Sequence, residues 1–122
     1  NSTLTANEGS KGGAIWSDGL LKVTDSMLAG NLVSYDGGSI YNTGRLDVEN
    51  CEFTLNRALG NGGGAIASDS DRDVTISGST FSENYVSNYG GAILKYDGGN
   101  MAITASTFSE NEASRGGGVS VA

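Results

Sequence analysis

Five times along this chain an Asn is followed, five to seven residues later, by a Gly pair, a small residue and then Ile or Val. The copies are Asn7 with Gly12-Gly13-Ala14-Ile15, Asn31 with Gly37-Gly38-Ser39-Ile40, Asn56 with Gly63-Gly64-Ala65-Ile66, Asn84 with Gly90-Gly91-Ala92-Ile93, and Asn111 with Gly116-Gly117-Gly118-Val119. From Ile15 to Val119 the steps are 25, 26, 27 and 26 residues. A period of this size makes each repeat one structural unit that cannot bury its apolar face alone, so neighbours must stack.

A second ladder lies upstream of each Asn. Leu21/Val23, Leu46/Val48, Val74/Ile76 and Met101/Ile103 are each followed, five residues after the second member, by Leu28, Phe53, Phe81 or Phe108. The spacing of two within each pair marks short strands with one face inward, and no helical period survives. Asn and Gly-Gly then mark bends, because these residues tolerate positive φ and close backbone approach. Each repeat reads as strand, bend, short strand, bend, strand. That suits one coil of a parallel β-helix, in which each residue lies about 4.8 Å above its equivalent in the previous coil. The expectation is an all-β solenoid of about 4.5 coils in a single domain over residues 1–122. Phe53, Phe81 and Phe108 should stack inside with Leu28 and Leu4, and the five Asn should form an amide ladder at one corner.

Composition narrows the function. The chain carries seven basic and 14 acidic residues, a net charge of −7, which would repel nucleic acid and anionic lipid. It has no His, and its single Cys51 falls at the repeat position of Ser26, Ser79 and Ser106, where it reads as a small buried filler. No window is long and apolar enough for a membrane span. The two ends expose strand edges, so further coils of a longer polypeptide, or other copies stacked end to end into a filament, are the expected partners.

Phe53-Thr54-Leu55-Asn56, Phe81-Ser82-Glu83-Asn84 and Phe108-Ser109-Glu110-Asn111, each followed by the Gly-Gly phrase, resemble the paired Phe-x-x-Asn and Gly-Gly-Ala-Ile/Leu/Val repeats of chlamydial polymorphic outer-membrane proteins. Those are autotransporter passengers, and similar repeats occur in bacterial surface proteins of the pectin-lyase-like β-helix type. The resemblance implies a right-handed helix and an extracellular or cell-surface role in adhesion and structural extension. Polysaccharide lyases share this kind of fold, but fold does not transmit function. The basic residues here are scattered over different repeat positions, so a non-catalytic module is expected, with a lyase-like or glycan-binding β-helix as the alternative.

Three places invite a ligand. Asp69, Asp71 and Asp73 alternate like the first half of a calcium loop, within a segment 67–73 expected to protrude, although the closing Glu is missing. Trp16, Tyr41 and Leu94 follow the repeated Ile and should face outward, as a column for sugar rings or a host protein, unless something covers them laterally. Tyr85, Tyr89 and Tyr96 form a second aromatic group around one coil, with the same two readings open.

Overall fold

The computed structural model describes all 122 residues, as eighteen short parallel strands and no helix. The first coil contains β1 (Thr3–Thr5), β2 (Glu8–Gly9), β3 (Ile15–Ser17) and β4 (Leu21–Thr24). The second contains β5 (Met27–Ala29), β6 (Leu32–Val33), β7 (Ile40–Asn42) and β8 (Leu46–Glu49). The third contains β9 (Glu52–Thr54), β10 (Arg57–Ala58), β11 (Ile66–Asp69) and β12 (Val74–Ser77). The fourth contains β13 (Thr80–Ser82), β14 (Tyr85–Val86), β15 (Ile93–Tyr96) and β16 (Met101–Thr104), and the fifth has β17 (Thr107–Ser109) and β18 (Val119–Val121).

Every strand pairs with its equivalent one coil away. The result is four sheets, ordered β1-β5-β9-β13-β17, β14-β10-β6-β2, β18-β15-β11-β7-β3 and β16-β12-β8-β4. The register follows the repeat: Leu4, Leu28, Phe53, Phe81 and Phe108 are successive partners, as are Ile15, Ile40, Ile66, Ile93 and Val119. The chain is therefore the expected parallel β-solenoid. Each of the first four coils has one strand more than the repeat predicts: the two residues after the ladder Asn form β2, β6, β10 and β14. They are too short to show an alternation.

The inward columns make one core, with Leu28, Ile40, Leu46, Phe53, Ile66, Ile76, Phe81 and Ile93 fully buried. Phe53 and Phe81 stack with ring centroids 4.7 Å apart, and Phe81 and Phe108 at 4.8 Å, with planes within 4° of parallel. That is the inter-strand distance, so the rings follow the backbone without adjustment.

The Asn ladder ties three coils at each step. Asn56 donates from its backbone N–H and from Nδ2 to Asn84 Oδ1 in the next coil, at 3.1 and 3.0 Å, and Nδ2 also reaches the Leu28 carbonyl in the coil before, at 2.8 Å. Asn31 and Asn84 repeat this arrangement, with Leu4 and Phe53 as their carbonyl partners. Ser39, which stands where other repeats have Ala or Gly, donates its hydroxyl to Asn56 Oδ1 at 2.6 Å.

The bends are made differently from the sequence expectation. Positive φ falls on the residue before each ladder Asn (Ala6, Gly30, Leu55, Glu83, Glu110), not on the Asn. A second corner has positive φ at Asp25, Asn50, Gly78 and Ala105, each before the Ser/Cys column. There Cys51 N–H donates to Ser79 Oγ and Ser79 N–H to Ser106 Oγ, at 3.0 and 3.1 Å, so this column is a hydroxyl ladder as well as a filler. In each Gly pair the first Gly has positive φ, and in the first four pairs the second touches the next coil. A Cβ on Gly64 would strike the Gly91 carbonyl oxygen.

Segment 67–73 is also corrected. Ala67–Asp69 continue β11 with Ala67 and Ser68 buried, and only residues 70–73 form the loop. The strand extends because β15 offers four paired residues beside it.

With so thin a core, each stacked ring carries a large share of stability. Phe81→Ala should cost about 3–5 kcal/mol by opening a cavity between two rings, measured by urea denaturation; an unchanged midpoint would contradict the stacking.

Candidate functional site

The aromatic column after the repeated Ile is outward by alternation, yet most of it is covered. Trp16 is 57% exposed, whereas Tyr41 is 4% exposed, and Ala67 and Leu94 are fully buried. The cover is the connection that carries the Gly pair. Gly62 lies so close to Leu94 of the next coil that a Cβ would collide with the Leu side chain, and Lys11 extends over the Tyr41 ring at 4.3 Å. The expected open aromatic face is thereby reduced to Trp16, since only Gly-rich connections are thin enough to lie flat on the neighbouring coil.

Under that cover is a polar network. Tyr41 donates its hydroxyl to Asp69 Oδ2 and accepts from Lys11 Nζ at 3.1 Å. Burial pushes the Tyr41 phenol well above its ordinary pKa, and the hydrogen bond to Asp69 and its charge push further in the same direction. Burial likewise raises Tyr96, to about 12, with smaller contributions from Asp36 and Asp69. Asp36, itself buried, accepts from the N–H groups of Asn61 and Gly62, both at 3.0 Å, and so fixes the connection of the third coil.

The three Asp of the calcium expectation have separate surroundings. Asp69 sits on β11 and is engaged by Tyr41; Asp71 forms an exposed pair with Arg72 at 3.5 Å; Asp73 accepts from Asn100 N–H at 3.1 Å. No three acidic side chains converge on a point that could hold an ion. The alternation that suggests a calcium loop is here the alternation of a strand running into a turn. Asp71 and Asp73 instead line an open polar groove of about 590 Å³ with Asp18, Thr43, Arg45 and Arg72, at the corner where the third loop overhangs the two below.

Tyr85, Tyr89 and Tyr96 follow one another around the fourth coil. Tyr85 lies on β14 under the Arg57 guanidinium at 4.9 Å, Tyr89 lies in the following connection with Arg115 donating to its hydroxyl at 2.9 Å, and Tyr96 ends β15. The tyrosine rings are largely partnered by cations of their own chain.

Two residues escaped the sequence reading. Lys95 is fully buried, in an inward column with Asn42 and Ser68, and donates from Nζ to the Ser70 carbonyl at 2.8 Å. Desolvation lowers its pKa against the opposing pull of Asp73, Asp71 and Asp97. Strict alternation from Ile93 would have placed it inward. Arg57 is the other, visible as the one basic residue in its column.

The fold and its repeats define a β-helix. The family model for the right handed β-helix region matches residues 12–122, and the chain belongs to that family. No curated protein and no solved structure matches the chain.

The tyrosine network sets the alkaline limit. A phenol whose folded pKa is raised keeps its proton where the unfolded chain, near pH 10, has lost it, so stability is whole below pH 10 and falls above it. Raising the pH from 8 to 11 should lower the urea midpoint, and Tyr96→Phe should shrink that drop; an equal drop in the variant would contradict the assignment.

Proposed function

We propose that this chain is a non-catalytic structural and adhesive β-helix module of an extracellular bacterial surface protein. The observation that carries this reading is the commitment of polar groups to stacking. The Asn amides, the corner hydroxyls and the Gly pairs all join coil to coil. Most of the basic side chains are likewise spent within the scaffold: Lys11 and Arg115 on tyrosine rings, Lys95 on a carbonyl, Arg45 and Arg72 on adjacent carboxylates. A lyase would need a base of this kind held free beside a bound acidic sugar.

The module extends a surface protein in one of two ways, as a segment of a longer passenger or as a subunit stacking end to end. Both use the same chemistry. The Asn ladder donates in one sense along the stack, so an added coil continues it without a change of pattern. Trp16 is exposed where Tyr41 and Leu94 of its column are covered, and the connection of an adjoining coil would cover it in the same way. The remaining polar flanks are where a host protein or glycan would be met.

Negative-stain electron microscopy over a range of concentrations separates the two forms. Rods far longer than the ~20–25 Å of five rungs indicate the filament subunit, and particles of one molecule indicate the passenger segment. Incubation with acidic polysaccharides should yield no 4,5-unsaturated product. Turnover that disappears in Arg45→Ala or Arg72→Ala would overturn the non-catalytic reading.

A further inference from the structure

Residues that every coil shares hold the stack together, so a coil that departs from the pattern on its outer face has been shaped for something else. The third coil does this at three alternating positions. Leu55, Arg57 and Leu59 face solvent, while Asn56 and Ala58 between them are buried. The other coils have Ala6, Gly30, Glu83 and Glu110 at the first position and Ser10, Ser34, Ser87 and Ser114 at the last. In the middle column Arg57 lies between Leu32 and Tyr85, with Glu8 and Glu112 at the far ends.

Leu55 and Arg57 carry a sign of function beyond mere exposure. Leu55 is 58% exposed at φ +56°, a left-handed conformation that its counterparts fill with small or acidic residues. Leu59 is 50% exposed, next to Gly60, whose N–H bonds the carbonyl of the exposed Tyr35. Arg57 lies over the Tyr85 ring with its guanidinium carbon 4.9 Å from the centroid, and it makes no salt bridge in a protein of net charge −7, although Glu83 borders the same hollow. That hollow, about 430 Å³, is lined by Leu55, Asn56, Arg57, Glu83 and Tyr85.

We infer that the outer face of the third coil is a docking surface for a protein segment in extended conformation, bearing a carboxylate side chain flanked two residues away on each side by an apolar one. The occupant follows from charge and spacing. A guanidinium without a carboxylate partner of its own, lying over an aromatic ring, suits a carboxylate in two-pronged contact. Leu55 and Leu59 are exposed two residues before and after Arg57, and Leu55 borders the same hollow, so a carboxylate on Arg57 brings the partner's apolar side chains on either side of it towards the two Leu. Arg and Tyr are among the residues enriched at the energetic centres of protein interfaces. A sugar is less well served, because the Tyr85 face is already occupied by Arg57 and branched Leu side chains give no flat platform. The inference deepens the adhesive part of the proposed function and rests on it. The structural part is read separately by microscopy and survives a negative result here.

The test is nuclear magnetic resonance titration of the intact chain with a capped peptide Leu-Thr-Asp-Thr-Leu, with its Asn-centred analogue and with oligogalacturonate. The Asp peptide should shift the amides of residues 55–59 and Tyr85, and the analogue should bind about tenfold more weakly. Arg57→Ala should remove the response by a similar factor while the remaining amide spectrum stays in place. Leu55→Gly, which suits the positive φ, should weaken binding without unfolding the coil. Equal binding of the two peptides, shifts elsewhere on the molecule, a response to oligogalacturonate alone, or no response at a few millimolar peptide would overturn the inference.

Discussion

The amide ladder at the Asn corner is the constraint on which the rest of the coil depends. A strand in this molecule is two to four residues long and could slide on its neighbour with little loss of backbone pairing. The Asn side chain removes that freedom because it reaches both ways, to the next Asn and to a carbonyl one coil back. Each fully buried amide is satisfied only when three coils are in register. With that corner fixed, the Phe column three residues upstream has to stack ring on ring, and the Gly pair has to meet the following coil where no side chain fits.

The same corner sets what the outside can do. Since the Gly connections lie flat on the next coil, they cover the column after each repeated Ile, which leaves Tyr41 in a polar network and Leu94 in a packed one. Variation is then confined to the sheet that follows the Asn, to the loop corner and to the end rungs. The third coil places Arg57 in that sheet's outward position, with an exposed Leu before and after the strand.

How far the sequence could be read depended on whether a feature is periodic. The fold, the coil length and the Phe, Ile and Asn columns were legible because five copies repeat them, and the register of Phe53, Phe81 and Phe108 agrees residue by residue. Features that rest on contacts between different columns were not. The burial of Tyr41 depends on Lys11 and Asp69, which belong to different coils; the calcium-like spacing of Asp69, Asp71 and Asp73 is broken when the first stays in a strand. Lys95 lay within reach of alternation alone, but a buried Lys contradicts the ordinary prior for that side chain.

A double-mutant cycle between Asn56 and Asn84, followed by urea denaturation, tests the ladder most directly. If the two amides act as one unit, either Ala substitution alone leaves its partner unpaired, and the double variant is less destabilised than the sum of the singles by about 1–2 kcal/mol. Additive losses would mean that the corner amides act independently and that the register of the coils is held by the core alone.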